Sequence, residues 1–115
     1  MPEAVIVSAA RSPIGRANKG SLKDFRPDDL SALIIKAALD KIPELDPTTI
    51  NDLILGCGLP GGEAGNNMGR VVSTLLGYEI PGTTITRYCS SSVQTSRMAF
   101  HAIKAGEGPA PRTHA

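Results

Sequence analysis

The sequence predicts an α/β fold, and three observations carry that prediction. Short strand-type runs alternate three times with segments of helical periodicity. The first of them, Ala4 to Ala9, lacks the in/out alternation of a half-exposed sheet and reads as a strand covered on both faces, as in a parallel sheet. The connections between the runs are long enough for crossovers, which are right-handed in such units. At 115 residues, 41% of them hydrophobic and only 3% aromatic, the chain supports one small domain with aliphatic packing between helices and sheet.

Ala4 to Ala9 (AVIVSA) is the first predicted strand, ended by Arg11-Ser12-Pro13-Ile14-Gly15. Pro27-Asp28-Asp29 then starts a helix, proline being pre-set for the first turn and the acids complementing the helix dipole. Leu30, Leu33, Ile34, Ala37 and Ala38 share one helical face, and Pro43 closes the helix. Asp52 to Gly56 is the second strand, followed by a glycine-rich loop to Gly65. Asn66 or Asn67 is placed to cap the next helix, Met68, Val71, Val72, Leu75 and Leu76 share its face, and Gly77 is placed to end it in a left-handed conformation. Gly82 to Tyr88 forms the third strand and Ser90 to Ala105 the third helix, with Gly106 as terminator. Val93, Met98, Ala99, Phe100, Ala102 and Ile103 spread around that helix, which predicts burial on several sides.

Pro109 to Ala115 has neither periodicity. A helix after a third strand ordinarily leads to a fourth, and a 3-2-1 order would leave the first strand, which reads as interior, at an edge. The sequence therefore predicts an incomplete sheet, with residues 1–108 as a partial domain and 109–115 as an irregular tail, an abrupt loss of pattern expected from truncation, a frame shift or an engineered chain end.

Twelve basic residues against eleven acidic ones, a formal net charge of +1, supply no general attraction to nucleic acid or to a membrane surface. No basic leader followed by a long apolar run is readable, so a cytoplasmic location is expected. Two cysteines without CxxC spacing and without clustered histidines do not make a zinc site. Two free thiols are the expectation in a reducing compartment. Gly56-Cys57-Gly58-Leu59-Pro60-Gly61 formally matches GxGxxG, but Pro60 and the residues up to Gly65 keep its last glycine from opening a helix, as dinucleotide binding requires. Cys57 reads as a small residue at the buried end of a strand.

Cys89 is the candidate nucleophile. It stands in Tyr88-Cys89-Ser90-Ser91-Ser92, where strand gives way to helix, and the first helical turn offers unpaired N–H groups and partial positive charge that stabilise a thiolate. Arg87 is two residues away. The two histidines are His101 and His114; His101 lies about 18 Å along the helix from Cys89 and cannot be its base. His114 belongs to the tail.

Four segments in order resemble the thiolase family, the acetyl-CoA C-acyltransferases: Val5 to Gly15 (VIVSAARSPIG), Gly65 to Gly77 (GNNMGRVVSTLLG), Ile80 to Tyr88 (IPGTTITRY) and Cys89 to Gly108 (CSSSVQTSRMAFHAIKAGEG). The resemblance implies that Cys89 takes an acyl group as a thioester, with its own N–H in an oxyanion hole. It further implies coenzyme A and acyl-CoA as substrates, no tightly bound cofactor, no metal, and a homo-oligomer in the full-length family. The cofactor-binding residues are not assigned. Thr86 and Ser92 stand where the family often has asparagine and glycine. The family's second half, with its catalytic histidines and second cysteine, has no counterpart in these residues, so the 115 residues alone are expected to be inactive. Two alternatives are a fragment of the related ketoacyl synthases and a non-catalytic module that pairs with a full-length thiolase subunit.

Overall fold

The computed structural model describes residues 2–108. Helix α1 spans Pro27–Asp40, strand β1 Leu53–Gly56, helix α2 Met68–Leu76, strand β2 Gly82–Ile85 and helix α3 Ser91–Lys104, with short 3-10 turns at Pro47–Thr49, Gly62–Ala64 and Tyr88–Ser90. The two strands pair in parallel, Leu53 opposite Gly82 and Gly56 opposite Ile85. The expected α/β class stands, built on two strands among the described residues.

The predicted first strand is corrected. Ala4 to Ala9 has no sheet partner, and Val5, Ile6 and Val7 are 66%, 91% and 66% exposed. The segment is tied instead to the end of α1: Ser8 Oγ donates to the Ala38 carbonyl at 2.7 Å, and Lys41 Nζ donates to the Ala9 carbonyl at 2.7 Å. Beside β1, a cavity of about 340 Å³ is bordered by Ile35 and Leu39 of α1 and by Ser92 and Thr95 of α3. β-branched apolar residues suit a strand, but the backbone ladder that makes one requires a neighbour at about 4.8 Å.

Both helices that flank the sheet approach it at glycines. A Cβ on Gly69, in the first turn of α2, would strike the Thr83 carbonyl, and one on Gly82 would strike the Gly69 carbonyl. This mutual absence of side chains lets the Gly69 N–H reach Thr84 Oγ1 at 2.8 Å. On the other face, a Cβ on Gly56 would lie 2.8 Å from Ser91 C and Ser92 N, so α3 begins directly on the end of β1. Among the described residues the buried apolar side chains are Met68, Val72 and Ile80, all at the junction of α2 with the start of β2.

The helix faces differ in detail from their periodicity. In α1 the inward stripe is Ser31, Ile34, Ile35, Ala38 and Leu39, while Leu33 and Ala37 face solvent. In α2, Met68 and Val72 are buried as expected and Leu75 is half exposed. The inward positions of α3 are polar or small, with Ser91 and Thr95 buried, and Val93 is 73% exposed. Burial of α3 on several sides is therefore not what the described residues show. Asn67 occupies the N-cap of α2 without a side-chain cap bond. Its amide instead donates to the Gly82 carbonyl at 3.0 Å and its Oδ1 accepts from Thr84 Oγ1 at 2.9 Å. Gly77 ends α2 in the left-handed region, as expected. The tail 109–115 lies outside the described residues.

Arg26 joins the start of α1 to the glycine-rich loop. It pairs with Asp28 at 2.9 Å and with Glu63 at 3.2 Å, and the Asp28 carboxylate also accepts the Asp29 N–H at 2.8 Å. Hydrogen bonding from Arg26 is the main cause that holds the Asp28 carboxyl below its ordinary range.

Two outcomes are expected. Gly69→Ala lowers stability by about 1–3 kcal/mol through overpacking, whereas Gly61→Ala, which meets nothing within 4 Å, leaves the thermal midpoint unchanged; circular-dichroism melts compare them. Because the Asp28 pKa is depressed in the folded chain, its contribution is full above the ordinary carboxylate range and is lost as pH falls through the lowered value. The fall in melting midpoint between neutral and strongly acidic pH is therefore smaller in Asp28→Asn than in the parent chain.

Candidate nucleophile site

Parallel pairing brings the carboxyl ends of β1 and β2 to one side of the sheet, the side on which open α/β sheets place their ligands. The last rung is the Cys57 N–H donating to the Ile85 carbonyl at 3.0 Å. From there β1 runs into the glycine-rich loop and β2 into the turn that carries Cys89. Cys89 sits in the middle of the 3-10 turn Tyr88–Ser90, which continues without a break into α3. Its thiol is free and exposed, while Cys57 is free and half-buried.

The turn is fixed by side-chain hydroxyls. Ser91 Oγ accepts the Arg87 N–H at 2.9 Å and donates to the Tyr88 carbonyl at 2.7 Å. Thr86 Oγ1 donates to the Gly58 carbonyl at 3.1 Å and receives the Tyr88 N–H at 3.4 Å. The Ser90 N–H closes the turn onto the Arg87 carbonyl at 3.0 Å. Gly58 belongs to the same arrangement, since a Cβ there would lie 3.1 Å from the Tyr88 carbonyl oxygen. Leu59, Pro60, Thr86 and Tyr88 border an open depression at this end of the sheet.

Chemically, the turn offers an exposed thiol where the peptide dipoles of a fourteen-residue helix converge. Negative charge that develops on a sulfur or an acyl oxygen there is favoured by the N-terminal end of the helix. His101 lies in the last turn of α3, exposed, with its ring 5.6 Å from that of Phe100. The structure does not bring it to Cys89. His114 lies outside the described residues. Among the described residues, no group of three or more His, Cys, Asp or Glu side chains is arranged to hold a metal ion, and no helix is long and apolar enough to cross a membrane. The Gly56–Gly61 segment does not open a helix: the 3-10 turn Gly62–Ala64 intervenes and α2 begins only at Met68. An apolar cavity of about 400 Å³ lined by Ile54, Thr95, Ala99 and Ile103 runs along α3 and does not include Cys89.

Sequence reasoning missed Thr86, Ser91 and Gly58 as partners in this site. The serine run after Cys89 was the available signal, but it does not say which of three serines turns inward. The left-handed backbone of Tyr88, φ 48°, has no signal in the sequence, because a bulky aromatic is a poor choice for that region.

Residues 4–110 match the family model described as thiolase, N-terminal domain. The chain is 46% identical over 108 residues to a 3-ketoacyl-CoA thiolase of Bacillus subtilis (strain 168), covering 92% of this chain and 27% of that protein. It is 42% identical over 110 residues to a 3-oxoadipyl-CoA/3-oxo-5,6-dehydrosuberyl-CoA thiolase of Escherichia coli (strain K12), covering 94% and 27%. Its fold matches an acetyl-CoA acetyltransferase from Syntrophomonas wolfei with a TM-score of 0.79 and 26% identity, over 93% of this chain and 27% of that one. The chain thus spans about a quarter of the length of these relatives. With the match to the family model running through nearly all of it, the chain belongs to the thiolase family, in the region of that family's N-terminal domain.

Proposed function

We propose that Cys89 is the acyl-accepting nucleophile of thiolase-type acyl transfer, acting on 3-ketoacyl-CoA in the degradative direction or on acetyl-CoA in the condensing one. The observation that carries this reading is an exposed free thiol at the start of α3, at the carboxyl end of two parallel strands, in a chain of this family.

In the degradative direction the Cys89 thiolate attacks the keto carbon of the substrate. The electron pair of that carbonyl moves onto oxygen, where the N–H of Cys89 and the start of the helix stabilise it. Collapse of the tetrahedral species breaks the bond between the keto carbon and the adjacent carbon, whose electron pair takes up a proton, and acetyl-CoA leaves. The shortened acyl group remains on Cys89 as a thioester. Attack by the coenzyme A thiolate then restores Cys89 and releases the shortened acyl-CoA. Condensation is the reverse, from two acetyl-CoA units.

Proton transfers in both directions require a base and an acid near Cys89. The only histidines are His101 and His114, and the other cysteine is Cys57; His101, twelve residues further along the chain, is about 18 Å away at the helical rise. The 115 residues by themselves therefore support acylation of Cys89 and not turnover. We also infer a domain of residues 1–108 followed by a short tail, without a resident cofactor.

Exposure to acetyl-CoA followed by intact-mass measurement is expected to show one added acetyl group, absent in Cys89→Ala, with no measurable loss of acetoacetyl-CoA in the presence of coenzyme A. Acetylation that survives Cys89→Ala, or none at all in the parent chain, would reject Cys89 as the acceptor.

A further inference from the structure

The turn that carries Cys89 contains an unfavourable backbone conformation at an unexpected residue. Among the described residues, four other than glycine have positive φ: Asn18, Asn66, Asn67 and Tyr88. Asparagine tolerates the left-handed region because its short polar side chain bonds locally. A bulky aromatic does not, and Tyr88 at φ 48° immediately precedes the thiol. Packing of the ring does not compensate, since Tyr88 is 73% exposed.

Strained backbone persists only where its surroundings over-determine it. Around Tyr88 the surroundings are the polar contacts already described. The strongest is Ser91, whose hydroxyl bridges the chain on both sides of the strained residue, to the Arg87 N–H and to the Tyr88 carbonyl. Ser91 is only 4% exposed, so water competes poorly for those two bonds. Thr86 Oγ1 and the bare Gly58 accommodate the same peptide from the loop side.

We propose that Ser91 is a positioning residue for Cys89: its hydroxyl locks Tyr88 in the left-handed turn, and that turn delivers the thiol to the exposed start of α3. Without the lock, Tyr88 relaxes to negative φ, the chain enters the 3-10 turn in another direction, and Cys89 leaves the helix start. The importance of this device for acyl transfer rests on the acceptor role proposed for Cys89; the device itself does not.

Alkylation by limiting iodoacetamide, mapped by peptide mass, separates the two. In the parent chain Cys89 reacts ahead of half-buried Cys57. Ser91→Ala slows alkylation at Cys89 about tenfold, a loss of the size that releasing such strain represents, and leaves the rate at Cys57 unchanged. Glycine adopts positive φ without steric cost, so in a Tyr88→Gly background the same Ser91→Ala change leaves the Cys89 rate within about twofold. A merely structural role for Ser91 would slow Cys89 equally in both backgrounds, and this comparison holds even if Ser91→Ala alone unfolds. An unchanged Cys89 rate in folded Ser91→Ala, or a comparable slowing in the Tyr88→Gly background, overturns the proposal. Alkylation needs no acyl-CoA, so the expected pattern without any acetylation of the parent chain would reject the acceptor role and leave the lock standing.

Discussion

The parallel register of β1 against β2 is the constraint on which the rest of the structure depends. It sets Gly56 opposite Ile85, and so brings the glycine-rich loop and the Cys89 turn out of the sheet side by side. Thr86 can reach the Gly58 carbonyl only because the two strands end level. The register is itself held by close approaches that glycine permits. Gly69 and Gly82 let the start of α2 lie on one face of the sheet, and Gly56 lets the start of α3 lie on the other. Three apolar side chains, Met68, Val72 and Ile80, are buried among the described residues, beside these backbone contacts.

Much of this arrangement was legible in the residues. The strand-type run at Asp52–Gly56, the strand start at Gly82, the helix start at Pro27, the left-handed stop at Gly77 and the position of Cys89 at a strand-to-helix junction are all local signals, whereas the strand expected to reach Tyr88 ends at Ile85, ahead of the 3-10 turn. Ala4–Ala9 shows where such reading stops. Its composition is that of a strand, yet strand formation is a property of a pair of segments, and here the partner position beside β1 is not taken by it. Helix α3 shows the same limit: its apolar residues predict burial on several sides, whereas Ser91 and Thr95 are its buried positions, and its start lies too close to Gly56 for a side chain on that glycine. Asn67 was expected as a conventional cap and instead bridges α2 to β2, a contact between segments fifteen residues apart.

The candidate site divides along the same line. The position of Cys89 was legible because its context is contiguous in sequence. The contacts that tie its turn were not, because Ser91, Thr86 and Gly58 meet around a residue whose left-handed backbone runs against the preference of its side chain. Membership of the thiolase family rests on the sequence match, while the geometry shows an exposed thiol at a helix start, in a turn tied by hydroxyls, with the one described histidine at the opposite end of the same helix.

On the acceptor role proposed for Cys89, the start of α3 receives the charge that develops on its acyl oxygen. A crystal structure of the chain acetylated at Cys89 tests it most directly. The thioester carbonyl oxygen is expected at about 2.7–3.1 Å from the N–H of Cys89, with Tyr88 still at positive φ. A thioester whose oxygen points to solvent, with the helix start unengaged, would contradict it.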